Sequence, residues 1–115
     1  MTTSSTARVI CDRPGRYGKQ LASHFAKKLE TRWDSETGRG HLSFTGEAPG
    51  AVEMIAGDGV LLLQLETSSQ YLDHLEAVIG RHLVRFGARD GLAVHWKRPG
   101  SAAGTTQVAE PGEDI

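Results

Sequence analysis

Between Ala51 and Glu66 the chain reads as one tight β-hairpin, and that hairpin restricts what the rest of the chain can become. Gly57-Asp58-Gly59 separates two strands, Ala51 to Ala56 and Val60 to Glu66. An Asp-Gly pair tolerates the positive φ that so short a turn demands. In the second strand Leu61, Leu63 and Leu65 take one face, while Val60, Leu62, Gln64 and Glu66 take the other. Alternate side chains of a strand point to opposite sides, so the leucine face has to be covered by a second layer. Strands joined this closely run antiparallel.

The covering layer comes from two helices that flank the strands. Tyr17, Leu21, Phe25 and Leu29 recur every four residues, with Ala22 and Ala26 beside them, which predicts a helix from Pro14 to Leu29. Proline in the first turn loses no helical hydrogen bond, and Asp12 or Arg13 stands near the N-cap. Leu72, Leu75, Val78, Ile79, Leu83 and Phe86 form a second stripe, with Ser68 or Ser69 as its cap. Gly87 is placed to end that helix in a left-handed conformation.

Ala7 to Cys11, Thr31 to Asp34, His41 to Thr45 and Leu92 to Lys97 complete the strands, divided by Gly- and Pro-containing turns. The expected fold is α+β in the order β-α-β-β-β-β-α-β. It has two layers, a mostly antiparallel sheet with both helices packed on one face.

A chain of 115 residues supports one domain, assigned to residues 7–98. Residues 1–6 are expected to be a disordered N-terminus. Residues 99–115 are expected to be a disordered acidic tail, because Gly, Ala, Thr, Pro and acids leave almost nothing to bury. The tail takes three of the fourteen acids and none of the thirteen Lys and Arg, so the formal charge of −1 hides a body at +2. That balance argues against nucleic-acid binding driven by charge alone. No apolar run approaches the ~20 residues of a membrane span. The N-terminus lacks the basic and apolar segments of a secretory signal, and a lone Cys11 forms no internal disulfide. A cytoplasmic location is therefore expected.

Chemistry-bearing candidates are few. None of the five histidines pairs at the spacing of a known zinc motif. His24 and His82 each sit beside an apolar stripe, so their rings converge if the two helices are neighbours. Such a pair suits a metal, a haem iron or a proton shuttle. The plainer alternative is that each imidazole hydrogen-bonds a backbone carbonyl at the core edge. Arg13 and Arg16 flank a helix start, where backbone N–H groups favour anions, although a solvated basic face is the plainer reading of them. Cys11 reads as a small core residue. His95 is expected on the open sheet face. There, Ile10, Ile55, Val60 and Leu62 would form an apolar patch suited to a homodimer contact.

The run Thr6-Ala-Arg-Val-Ile-Cys-Asp-Arg-Pro-Gly-Arg-Tyr-Gly-Lys-Gln-Leu-Ala-Ser-His-Phe25 resembles a numbered bacterial family, domain of unknown function 2218. Leu75-Glu-Ala-Val-Ile-Gly-Arg-His-Leu-Val-Arg-Phe-Gly87 and Leu92-Ala-Val-His-Trp96 carry the same likeness. Its motif positions fall here on Asp12, Arg13, Pro14, Tyr17, Gln20, Ser23, His24, Arg81 and His82. The resemblance implies an association with siderophore-interacting flavin reductases, and with it iron handling.

The expected role is a small binding or accessory module for an iron chelate or haem. Its ligand residues would be His24, His82, Arg13, Arg16 and Tyr17, with His24 and His82 as metal ligands. Two alternatives stand beside it: a small enzyme using His24 or His82 as acid or base, and a homodimeric interaction protein.

Overall fold

β5, Val60–Ser68, is the fourth strand of a seven-stranded sheet, and its neighbours explain the rest of the topology. The computed structural model describes residues 2–108. On one side of β5 lies β4, Gly50–Ala56, joined to it by the expected turn, in which Gly59 takes φ 70°. On its other side lies β1, Thr2–Ile10, paired antiparallel along its whole length from Thr2↔Ser68 to Ile10↔Val60. The sheet continues outward from β4 through β3, Arg39–Phe44, to β2, Glu30–Asp34. From β1 it continues through β6, Ala93–Arg98, to β7, Ala102–Val108. All neighbouring pairs are antiparallel, in the order β2-β3-β4-β5-β1-β6-β7.

Helices α1, Pro14–Phe25, and α2, Leu72–Phe86, lie side by side over one face. α1 covers the β2-to-β5 half, and α2 covers the β6–β7 half. Between the layers lies one core in which Leu61, Leu63 and Leu65 of β5 meet Leu21 of α1 and Leu75, Ile79 and Leu83 of α2. The strand parity expected at β5 is therefore the one observed. α1 comes close because of two glycines: a Cβ at Gly18 or Gly40 would stand 2.5 Å from the Trp33 ring. Trp33 fills the slot they leave.

Several boundaries differ from expectation. β1 starts at Thr2 rather than Ala7, because every residue from Thr2 on has a register partner in β5. Its polar side chains still alternate, with Ser5 buried and donating to the Lys97 carbonyl. α1 ends at Phe25 rather than Leu29; the Phe25 carbonyl accepts from Lys28 and Leu29 in a turn that delivers the chain to β2. Neither Ser68 nor Ser69 caps α2. A short 3-10 turn, Ser69–Tyr71, leads into it. Gly87 has φ −104°, and the left-handed glycine is Gly91 at φ 66°, after a further 3-10 turn over Ala88–Asp90.

The largest difference is β7, which lies inside the stretch expected to be disordered. Its only buried side chain is Gln107. What holds it is polar. Glu76 of α2 is 0% exposed, and its Oε1 accepts from Thr105 N–H at 2.9 Å and from the Thr105 hydroxyl at 2.8 Å. Arg98 donates to both Glu76 oxygens, at 2.9 and 3.2 Å, and also pairs with Asp73. Trp96 Nε1 donates to Gln107 Oε1 at 2.8 Å, and Gln107 Nε2 donates to the Thr105 hydroxyl at 2.9 Å. Burial alone would push the Glu76 carboxyl upward; the bonds from Arg98 and Thr105 outweigh it and hold the group below its ordinary value. A composition scan for apolar residues misses such an anchor, which explains why the segment looked unstructured. Residues 109–115, the remainder of the expected tail, lie outside the described residues, as does residue 1.

Candidate binding cleft between the helices

Antiparallel neighbours place the start of α1 beside the end of α2. Between them opens a cleft of about 720 Å³. The first turns of α1 contribute Arg13, Arg16, Tyr17 and Gln20, with Asp12 just before them. The end of α2 and the following 3-10 turn contribute Arg85, Phe86, Ala88, Arg89 and Asp90. Four guanidinium groups thus face two carboxylates. One carboxylate, Asp90, is engaged as the acceptor of the Tyr17 hydroxyl. Burial, then the hydrogen bond and charge of Asp90, pushes the Tyr17 phenol up to about 12, so it stays protonated and donating. The N-terminal turn of α1 adds the positive end of a helix dipole. Arg85 sits in the last turn of α2, where a cation is favoured near the carbonyl end, and Arg89 follows in the 3-10 turn.

The two histidines do converge. His24 lies one helical turn beyond Gln20, and His82 lies one turn before Phe86. Their ring centroids are 4.6 Å apart, tilted by 46°. Phe86 connects the pair to the cleft: it lines the cleft and stands edge-on to His24 at 5.5 Å. On the far side His82 meets Phe25 at 4.9 Å, and Phe25 meets Phe44 at 5.5 Å. His24 is exposed, and His82, Phe25, Phe44 and Phe86 are half-buried.

His82 Nδ1 lies 2.7 Å from the Val78 carbonyl. A carbonyl only accepts, so Nδ1 carries the proton, and Nε2 is the acceptor in the neutral ring. One imidazole therefore does follow the plainer expectation, with its second nitrogen still available. Partial desolvation by the rings packed beside it, followed by the charges of His82, Lys27 and Lys28, lowers the His24 pKa below its ordinary value although one side of the ring is exposed.

A haem held between the two rings does not fit this spacing. Two axial metal–nitrogen bonds of ~2 Å each hold ring centroids about 6 Å apart. Two nitrogens on the same side of one metal ion fit 4.6 Å, with the remaining ligands coming from a chelate. Among the described residues, no group of three or more His, Cys, Asp and Glu is placed to hold a metal by itself.

Of the residues singled out by sequence, Arg13, Arg16 and Tyr17 line the cleft, and His24 and His82 meet beyond Phe86, outside its lining. Lys19 lies apart from the cleft, in a shallow depression with Ala22 and Trp33. Cys11 is buried and its thiol is pushed up by burial, as suits a core residue. His95 is exposed on the open face. Arg85, Arg89, Asp90 and Phe86 were not anticipated as site residues. Arg85 had a signal, standing three residues after His82 on the same helix. Arg89 and Asp90 had none, since only the 3-10 turn brings them over the cleft.

The fold and the cleft define a single-sheet α+β domain with one polar groove between its two helices. The chain belongs to the family described as "Uncharacterized protein conserved in bacteria (DUF2218)", with the match running over residues 6–97. A similar solved structure is the NMR structure of PA4090 from Pseudomonas aeruginosa, 25% identical with a TM-score of 0.66. The likeness covers 87% of this chain and 98% of that one. No curated protein matches the sequence.

Proposed function

We propose that this protein is a binding module for a small anionic ligand held between α1 and α2. One observation supports this above the rest: Arg13 and Arg16 of one helix meet Arg85 and Arg89 at the end of the other, around a common cleft. Guanidinium groups match carboxylate and phosphate geometry and stay charged at every physiological pH. The histidine pair adds two nitrogens beyond Phe86, outside the cleft's lining, which suits a ferric chelate with open coordination positions. On that basis the module serves iron or siderophore handling, as accessory to a separate flavin reductase that supplies electrons.

Titration with ferric chelates and with inorganic phosphate, followed by calorimetry and by absorbance, tests this. Saturable binding that an Arg16→Ala/Arg89→Ala variant weakens at least tenfold is expected. Chelate absorbance that His24→Ala/His82→Ala leaves unchanged removes the metal contact and keeps the anion site. Absence of binding by every anion removes the proposal.

The open sheet face favours a second, compatible reading as a homodimer contact. Ile10 is 72% exposed and pairs with Val60, and Ile55 pairs with Leu62 in the adjoining row. Asp34, Arg39, Ile55, Leu62 and Arg8 follow one another across the sheet in one row. Glu30, Ser43, Ala51, Glu66 and Ser4 form another, four residues along each strand. Arg8, Arg39, Glu53 and Glu66 flank the apolar residues on this face and would make such a contact salt-sensitive. Sedimentation showing a salt-sensitive dimer that Leu62→Arg abolishes is expected; a monomer at all concentrations ends this reading.

A further inference from the structure

We infer that the ligand of the cleft carries a planar aromatic ring next to its oxyanion, with the charge on the arginines and the ring against His24, His82 and Phe86. The inference rests on the anion-binding reading and deepens it. The cleft is not uniformly polar. Phe86 lines its edge, and beyond that lining Phe86 stands edge-on to His24 at 68°, with His82 tilted 46° to His24. Phe25 and Phe44 continue the run behind them at 65°.

Ring pairs of this kind gain from offset or edge geometry beyond simple burial, and they present π faces and edges already fixed in place. The rings behind are packed by the core edge, whereas His24 is exposed. A flat guest lying on His24 meets Phe86 on the cleft side without any rearrangement. Gln20 lies between the two subsites: it lines the cleft one helical turn before His24. Its amide offers both a donor and an acceptor to the atoms that join the ring to the oxyanion.

The cleft joins four arginines to a ring; the hollow of Lys19, Arg32 and Trp33 also joins charge to a ring, but with two cations. The hollow beside β2 and β3 holds one arginine, Arg32, and one ring, His41, which already pairs with Glu53. The hollow with Trp33 and Arg39 is flanked by Asp34 and Glu53, and His41 there already pairs with Glu53.

The test compares phenyl phosphate with methyl phosphate by calorimetry, since the two share a charge and differ in the ring. Benzoate against acetate repeats it for a carboxylate. The aryl member of at least one pair is expected to bind roughly tenfold more tightly. His24→Ala and Phe86→Leu are expected to cut that preference to about twofold or less, by weakening the aryl member more than the methyl one. Arg16→Ala/Arg89→Ala is expected to weaken both members alike. Equal affinity of aryl and alkyl anions overturns this inference and leaves the anion site standing. A preference that survives both ring variants overturns the placement of the ring. Failure of all four anions to bind overturns the cleft reading itself.

Discussion

Two clusters of arginine and acid lie at opposite ends of α2, and they are built on opposite principles. At the first turn, Arg98 is clasped by Glu76 and Asp73, and Glu76 is sealed from water with all its neighbours bonded to it. At the last turn, Arg85 and Arg89 join Arg13 and Arg16 around open space, exposed, with one of the two nearby carboxylates taken by a tyrosine. Charges whose partners are complete hold the fold together. Charges left facing solvent in a concave setting are available to a guest. Composition does not separate the two cases; burial and partner geometry do.

Breaking the closed cluster has the largest expected effect. Glu76→Gln removes the buried charge that Arg98 and Thr105 bond and costs about 1.5–3 kcal/mol, measured by urea unfolding. The cost carries a pH signature. The Glu76 pKa lies below its ordinary 4.5, so its contribution is complete above that value and fades as pH falls through the folded-state value. The gap between wild type and Glu76→Gln is therefore expected to close in acid. A constant gap from pH 7 to pH 3 would show that shape, not charge, holds β7.

Tyr17→Phe stands between the two clusters. It removes a hydrogen bond to a carboxylate and is expected to cost about 1–2 kcal/mol. It also frees Asp90 inside the cleft, so phosphate affinity falls with it. In the wild type the Tyr17 phenol is expected to titrate near 12 by ultraviolet absorbance, about two units above an exposed tyrosine.

Arg16→Ala and Arg89→Ala are expected to change stability by less than about 0.5 kcal/mol while weakening anion binding. If they destabilise like Glu76→Gln, the contrast between the clusters collapses. The smallest effect is expected at His24, whose NMR titration midpoint should lie below 6.5 and rise in His82→Ala. An unshifted midpoint would show that the two rings do not sense each other's charge.

The site was partly legible beforehand. His24 and His82 stood out because each occupies a helix position beside an apolar stripe, and two adjacent helices bring such positions together. Arg13 and Arg16 were visible at a proline-marked helix start. Arg89 and Asp90 were invisible, because a 3-10 turn between two glycines carries no periodicity that says where its side chains go. Glu76 was visible only as an acid early in a helix. Nothing local distinguishes a carboxylate facing water from one buried under a strand that arrives about thirty residues later.

What the sequence by itself determined is the set of pieces: two striped helices, a Gly-Asp-Gly hairpin, and the parity that turns Leu61, Leu63 and Leu65 inward. Those follow from backbone period, which repeats every two or 3.6 residues and needs no distant partner. Only the tertiary structure decided that β1 lies between β5 and β6, that Thr2–Thr6 joins it, and that β7 closes the edge on Glu76. It also decided that four arginines from separate segments share one cleft. Such pairings exist only once long loops have closed and polar groups have traded water for one another, which no short window of sequence records.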